Sequence, residues 1–437
     1  MKKSENSSKL ALLGGAPMNP NPLPKYNTIG SDEKKAVLKV LDTGELSGFI
    51  ASNGKEFYGG EQVQKLEKEF STFFGSKYCV SANSATTSLH TAIAALGVAP
   101  GDEVIVPPYT MSASATCVLF SGGVPIFSDI DDEIFCLDPR KVEAKINKFT
   151  KGIVAVNLFG HPAKLLELKK IAKKHKIFLL EDNSQAPGAK INNKYAGTIG
   201  DIGVFSFNRH KTMQSGEGGV AICNDKKLAL RMQLVRNHGE VIVSGMNLSK
   251  PEDISNTIGL NYRMTEMEAA VARCQLKKLN NLNKQRIILA DYLTKKLNNI
   301  DGLEPPKVNK NNKHVYYFYP IKYNESVIGL PRDLFSKAVE AEGFNLRAGY
   351  LKPIYLEPLY QKKICFGING YPFSANKNNK KIIYKKGICP TVEKLQDSGL
   401  LITNIIYPPL TKKDMQLFVE SIVKVIKNKD ALIKYAS

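Results

Sequence analysis

At 437 residues the chain is too long for one small domain, and a hydrophobic fraction of 43% suits an ordinary globular enzyme whose core needs no covalent staples. The formal net charge of +20 is nearly all lysine, spread along a chain rich in Asn and Ile, with no basic block interleaved with aromatics. That pattern argues against nucleic-acid binding and leaves a surface that attracts anionic substrates such as sugar diphosphates.

In chain order, residues 1–30 carry several Pro and Gly and read as an irregular arm. The opening MKKSENSSKLALLGGAP has no apolar h-region, and no apolar run approaches the roughly 18 residues needed to span a bilayer. A cytoplasmic protein without a membrane span is expected. A helix is predicted at about 32–42, with Val37, Leu38 and Leu41 as its apolar face and Gly44 ending it. Another is predicted at roughly 61–74, where Val63, Leu66, Phe70 and Phe73 recur at helical spacing.

From residue 79 short apolar runs alternate with helical patterns. The runs are Val104–Val106, Pro125–Ser128, Ile153–Leu158, Ile177–Leu180, Val204–Phe207 and Val220–Cys223. Pro162 is placed at the first position of a helix carrying Leu165, Leu166, Leu168 and Ile171. Such alternation predicts a mostly parallel sheet covered on both faces, with ligands beyond its C-terminal strand ends. Thr265-x-x-Glu268 predicts a capping box that opens a long helix, to about 297, bridging two domains. A strand at His314–Tyr323, a helix near 332–342 and a last helix from 412, capped by Thr411, follow. Residues 360–388, rich in Lys, Asn and Gly, read as a long loop. The expected organisation is an N-terminal arm over 1–30, a large domain over 31–285 and a small domain over 286–437.

Seven cysteines, at 79, 117, 136, 223, 274, 365 and 389, are scattered and free of any CxxC pair. Reduced thiols are expected, and no metal site. His161, His238 and His314 show no metal-ligand spacing.

Three segments carry candidate chemistry. IFLLEDNSQAPGA sets Glu181-Asp182 at the end of an apolar strand, where a buried acid is costly without a partner. Alone it fits a helix cap equally well; the chemical reading is that Asp182 meets a protonated ring nitrogen. VFSFNRHKTMQSGEGGVAICND sets Lys211 between two strands, after Ser206 and before the Gly216-Glu217-Gly218-Gly219 turn. A lone lysine is ordinarily a solvated surface group. Glycines that admit φ > 0 and a desolvated strand-end setting make this one a candidate for attack on an aldehyde. CVSANSATTSLHTAIAALG leads Ser84, Ala85, Thr86 and Thr87 into an apolar helix, which suits either a phosphate at a helix N-terminus or a plain hydroxyl cap. Neither GxGxxG nor GxxxxGK[ST] is present.

Together these segments resemble the DegT/StrS-type sugar aminotransferases of pyridoxal-phosphate (PLP) fold type I. The resemblance runs over nearly the whole chain: Gly14–Pro17, LDTGELSG, GDEVIVPPYT, EDNSQA, FSFNRHK with GEGG, VRNHG (235–239), NYRMTEMEAA (261–270) and ICPTVEKL (388–395). It implies an α/β fold: a three-layer PLP fold-type-I large domain with a mostly parallel sheet, plus a smaller C-terminal α+β domain. It implies pyridoxal 5′-phosphate as cofactor, with Lys211 forming the Schiff base and Asp182 contacting the pyridine nitrogen. Gln185 is then expected at the ring hydroxyl, and Ser206, Thr86 and Thr87 at the phosphate. Ala85 stands where the family usually has Gly. Met111 stands where an aromatic stacks on the ring, with Tyr109 two residues away; a methionine can pack there too. Asn261 falls where the family reaches into the neighbouring subunit's site, implying a homodimer with shared active sites.

The reaction so implied moves an amino group from glutamate or glutamine to a nucleotide-linked keto-sugar, for amino-sugar or surface-polysaccharide biosynthesis. Lys211 shuttles the proton while Asp182 keeps the ring nitrogen protonated. Three alternatives stand beside it. A keto-cyclitol is one acceptor. A keto-sugar 3-dehydratase of the same family carries His in place of the lysine; counting from FSF, the fourth residue after Phe207 is Lys211, with His210 beside it, which favours the aminotransferase. A non-catalytic sensor on the same fold is argued against by the presence of both Lys211 and Asp182. Arg236 and Arg263 fit anion binding or salt bridges, and Tyr350 and Lys352 are candidates to line the substrate pocket.

Overall fold

The computed structural model describes residues 9–246, 248, 250 and 254–436. Its central sheet is built from β1 (Tyr78–Ala82), β2 (Glu103–Val106), β3 (Val124–Phe127), β4 (Thr150–Val156) and β5 (Phe178–Asp182). A small hairpin, β6 (Lys190–Ile191) and β7 (Lys194–Tyr195), precedes the last two strands, β8 (Ile202–Ser206) and β9 (Gly219–Cys223). The order across the sheet is β1-β9-β8-β5-β4-β2-β3. Pairings from β3 through β2, β4 and β5 to β8 are parallel, and β9 runs antiparallel to both β8 and β1. The fold is thus α/β with a mixed, mostly parallel sheet. β1 is not among the expected strands, because Tyr78–Ala82 mixes Cys, Ser and Ala and lacks an unbroken apolar run.

Side chains on a strand alternate between faces, and the core follows that rule. Val220, Ile222 and Phe205 pack under the Glu61–Phe74 helix and the first half of the Glu266–Leu297 helix. Ala221, Cys223 and Val204 join the opposite layer with Leu89, Val118 and Leu168, from the Ala85–Ala95, Ala113–Phe120 and Leu165–His175 helices. Each such Leu, Phe or Ile, fully buried, contributes about 1.5–3 kcal/mol.

Thr265 caps the long helix as predicted: its hydroxyl accepts from Glu268 N, and the Glu268 carboxylate takes the Thr265 N–H. Ala269, Ala272, Leu276 and Leu279 of that helix face the first core, whereas Leu289, Leu293 and Leu297 face a second. The second core gathers Tyr319, Ile321, Phe335, Leu401 and Phe418 around a four-stranded sheet of β10 (Leu303–Glu304), β12 (Tyr319–Tyr323), β13 (Arg347–Ala348) and β14 (Leu400–Thr403), ordered β10-β12-β14-β13. Between β10 and β12, β11 (Asn312–Lys313) pairs with β6 beside the first sheet. The arm is anchored: Leu10 is fully buried in the second core, and Ala11 N and Met18 N both donate to Glu342 at 2.9 Å.

Several local expectations need correction. The helix Ser31–Thr43 turns Glu33 and Val40 inward and leaves Leu38 and Leu41 exposed, because Glu33 is held by Lys278 and Gln275 of the long helix. Pro162 precedes its helix, which starts at Leu165. The strand expected over His314–Tyr323 is confined to Tyr319–Tyr323, the residues before it forming a turn in which Tyr316 has φ 52°. Residues 360–388 form more than a loop. They hold a short helix, Lys377–Lys381, and seat Tyr360 and Tyr384 against Phe127, with Phe373 packed on both tyrosines. Tyr384 Oη donates to Pro125 O and Asn378 to Glu103, so this segment covers the open β3 edge of the sheet.

Candidate active site

The C-terminal ends of β5 and β8 lie side by side, Asp182 opposite Val204 and Ser206 closing β8. Adjacent acids at the end of β5 point to opposite faces and do different work. Glu181 is buried and accepts N–H bonds from Gly197, Ile199 and Gly200; burial still pushes its carboxyl above the usual range. Asp182, 6% exposed, accepts from Ser114 Oγ at 2.7 Å and from Ser184 N at 3.1 Å.

Lys211 lies in the turn that follows β8. Backbone bonds from Phe207 N to Gly218 O, Arg209 N to Gly216 O and Lys211 N to Asn208 O fix this turn as a compact bulge. Lys211 is half-buried while His210 is exposed, so the lysine takes the inner position. Burial of the Lys211 amine pushes its pKa down to about 8, against the opposing charge of Asp182. The ring of Tyr317 lies against this amine, 4.5 Å from Nζ to centroid.

A helix N-terminus completes this edge. Ser84 caps the Ala85–Ala95 helix, its Oγ accepting from Thr87 N at 3.1 Å, and pairs with Gly218 across the bulge. Gly219, opposite Ser206, lets the helix start lie directly on β9: a Cβ there would come within 2.6 Å of Ala85 N. The first-turn N–H groups of Ala85 and Thr86 have no carbonyl within the helix to meet them. Thr86 is exposed. Ser206 is buried and accepts from Asn208 N at 3.3 Å. The Thr87 hydroxyl is used inside the cap, on Asn83 Oδ1 at 2.7 Å and Ser84 N at 3.2 Å.

Gln185 is held from both ends. Its Oε1 accepts from Phe159 N at 2.8 Å and its Nε2 donates to Tyr350 Oη at 3.2 Å. Tyr350 is therefore beside the site, while Lys352 is exposed and 3.7 Å from Glu357. Tyr109 is 1% exposed and its hydroxyl donates to Gln396, so it faces the core beside Tyr350. Met111 is 62% exposed.

The two arginines separate. Arg236 is fully buried, paired with Glu67 at 2.6 Å and lying over Phe49, which makes it a structural residue. Arg263 donates twice to Asn237 Oδ1. Asn261 is exposed, and Asn83 N donates to the neighbouring Tyr262 O at 2.9 Å, which keeps the NYR segment beside the helix cap. Among the described residues no three His, Cys, Asp or Glu side chains gather as a metal site, and no helix is long and apolar enough to cross a membrane. A cleft of about 770 Å³ lies elsewhere, and the charges on its walls are taken by ion pairs such as Arg140–Asp138 and Lys322–Asp132.

Sequence reasoning missed Ser114 and Tyr317. A hydroxyl one turn past the PPYT strand end was the only local hint of the first. The second depends on a turn that the sequence reading took for a strand.

The model of the DegT/DnrJ/EryC1/StrS aminotransferase family matches residues 38–382. The L-glutamine:2-deoxy-scyllo-inosose aminotransferase of Streptomyces kanamyceticus is 35% identical over 81% of this chain and 83% of its own length. The GDP-perosamine synthase of Caulobacter vibrioides is 32% identical over 76% of this chain and 85% of its own. Among solved structures, the aminotransferase from Psychrobacter cryohalolentis superposes with a TM-score of 0.79 at 26% identity, covering 93% of this chain and 99% of that one. The Helicobacter pylori aminotransferase involved in the biosynthesis of pseudoaminic acid superposes at 0.75, also at 26% identity, over 92% and 97%. The chain belongs to the DegT/DnrJ/EryC1/StrS aminotransferase family.

Proposed function

We propose that the chain is a pyridoxal 5′-phosphate-dependent aminotransferase that carries an amino group from glutamate or glutamine to a nucleotide-linked keto-sugar, working in the cytoplasm as a homodimer with shared active sites. One observation carries the reading: a buried carboxylate, Asp182, faces a half-buried amine, Lys211, whose proton is loosened to near pH 8.

The donor set fits this cofactor. An amine with a depressed pKa suits an aldehyde, a buried carboxylate suits a protonated ring nitrogen, and free helix N–H groups suit a phosphate. Lys211 would hold the cofactor covalently, Asp182 would meet its ring nitrogen and Gln185 its ring hydroxyl. Ser206, Thr86 and the Ala85–Thr86 N–H groups would take the phosphate, with Thr87 bracing the cap that shapes them. Met111 would pack on the ring, and Asn261 would serve the neighbouring subunit's site. When bound, the cofactor supplies an electron sink for charge that develops at the donor carbon.

Lys211 then works as the base. An amine that titrates near pH 8 is partly neutral at physiological pH, so it can take a proton from the donor carbon and return it on the acceptor's side. Ser114 holds Asp182 in one orientation while it does so, and buried Tyr109, with half-buried Tyr350 packed on it, keeps water from that side. A keto-cyclitol acceptor is the second reading, favoured by the 35% identity to the deoxy-inosose enzyme.

The test is direct. Purified chain supplied with pyridoxal phosphate should turn yellow, borohydride should fix the cofactor on Lys211, and glutamate or glutamine should drive amination within a panel of nucleotide keto-sugars and 2-deoxy-scyllo-inosose. A chain that stays colourless sinks the reading.

A further inference from the structure

The turn before β12 is held on three sides, and it places Tyr317. Phe159 and Gly160, just after β4, have φ 58° and 96°. Val315 N donates to Gly160 O at 3.0 Å and Phe318 N to Phe159 O at 3.3 Å. Gly160 must lack a side chain, since a Cβ there would lie 2.7 Å from Tyr316 N. Tyr316 itself adopts φ 52°, a conformation unfavourable for a bulky residue. It is kept there by three contacts: its N–H on His314 Nδ1 at 3.0 Å, its ring stacked on His314 at 3.9 Å, and its carbonyl taken by Arg286 Nη1 at 3.2 Å. Strained backbone that the surroundings over-determine points to function. Here the same loop also donates Phe159 N to Gln185, so one clasp sets both Gln185 and Tyr317 about Lys211.

We propose that Tyr317 is a positioning residue for Lys211: its ring face receives the lysine ammonium whenever that amine is not covalently engaged, and keeps it in the site for its return. The inference rests on the role of Lys211 given above. An aromatic face attracts a cation through the ring quadrupole, and does so most where water is excluded. Asp182, from the end of β5, is the charge that acts on Lys211, and Tyr317 meets its amine from the clasped turn; on the same bulge His210 feels Lys211, Arg209 and Glu217. Arg286 and Arg347 act on the Tyr317 phenol. Asp182 and the ring therefore share the work of retaining the ammonium, and the ring alone can be altered without changing the charge count.

The experiment uses the full chain freed of cofactor, so that its failure and the failure of the cofactor reading stay distinct. The rate at which an amine-acylating reagent modifies Lys211 is followed against pH by peptide mass spectrometry, with near-ultraviolet circular dichroism as the folding check. Tyr317→Phe keeps the face and should label with the parent's pH midpoint. Tyr317→Leu and Tyr317→Met keep an apolar wall but remove the quadrupole. Either should label with a midpoint about 0.5–1 pH unit lower, because the ammonium loses its partner. A midpoint unchanged or raised in the folded Leu or Met variant overturns the proposal. So does a Phe variant that shifts as far as they do.

Discussion

Ser114 donates a 2.7 Å hydrogen bond to Asp182 Oδ2 inside the protein, from a helix to a strand end 68 residues away. The serine has no contact with water, so removing its hydroxyl leaves one carboxylate oxygen without its donor. Hydrogen bonds to charged groups are worth about 1.5–3 kcal/mol. Ser114→Ala should lose about that much stability in urea denaturation and hold pyridoxal phosphate several-fold more weakly, while Ser114→Thr recovers most of both. Equal stability of the Ala variant and the parent would show that the bond does not form in solution.

Lys211 has a linked effect on stability. Its folded pKa, about 8, lies below the ordinary lysine value of 10.5. Below pH 8 both folded and unfolded chains carry the proton, and burying the charged amine costs stability. Between pH 8 and 10.5 only the unfolded chain keeps it, so this group's contribution rises with pH. In cofactor-free protein, the stability difference between the parent and Lys211→Met should therefore shift in the parent's favour from pH 7.5 to pH 10. Denaturant midpoints at matched pH measure it, and a flat difference would place the amine in solvent.

What the sequence disclosed was local. The Thr265–Glu268 box, the Glu61–Phe74 stripe and the GEGG turn are each read within a few residues, and Gly216 and Gly218 do have φ of 89° and 130°. Lys211, Asp182 and Gln185 could be named because short motifs carry them. Their partners could not. Ser114 and Tyr317 reach the site through the sheet order and through a clasp between Gly160 and Tyr316, and no periodicity encodes either; Tyr350 is legible as a pocket candidate, but its bond to Gln185 is not. Residues 360–388 misled for another reason: their Lys and Asn content hides Phe373 and Tyr384, two buried anchors in a polar string.

One carboxylate gathers the first part of the arm. Glu342 is fully buried, accepts from Ala11 N and Met18 N, and pairs with Lys424 at 2.9 Å, whose side chain is 9% exposed. Removing one member of a buried pair strands the other, at a cost of about 3–5 kcal/mol. Glu342→Gln should lower stability by that order and make the peptide bonds around residues 9–18 sensitive to protease. Adding Lys424→Met should recover part of the stability and little of the protection, since a glutamine keeps one acceptor oxygen and leaves the other arm N–H unmet. Protease resistance in the single variant would show that buried Leu10 and the arm's other bonds hold it without this carboxylate.

His161 and His314 make stability fall as the solution is acidified. Their rings pack edge to face at 5.2 Å beneath the clasp that carries Tyr317. His161 Nδ1 lies 2.7 Å from Pro162 O, a pure acceptor, so this nitrogen carries the proton and Nε2 is left as a buried lone pair without a partner among the described residues. His314 Nδ1 instead accepts from Tyr316 N, which puts its proton on Nε2. Both rings are therefore neutral in the folded state. Burial pushes His161 down to about 4, opposed by its hydrogen bond to Pro162 O and by the charge of Asp131, and pushes His314 well below its ordinary value. As pH falls below about 6.5 the unfolded chain takes up protons that the folded chain refuses, so stability falls. Each histidine contributes a slope of at most about 1.4 kcal/mol per pH unit. Denaturant midpoints of the parent should drop between pH 7 and pH 4.5. His161→Gln, which replaces the ring at the position with the fewest bonds to lose, should make that slope shallower by up to one proton's worth. Equal slopes in the two proteins would mean that His161 is protonated in the folded state, and that the clasp bears a charge its packing gives no means to neutralise.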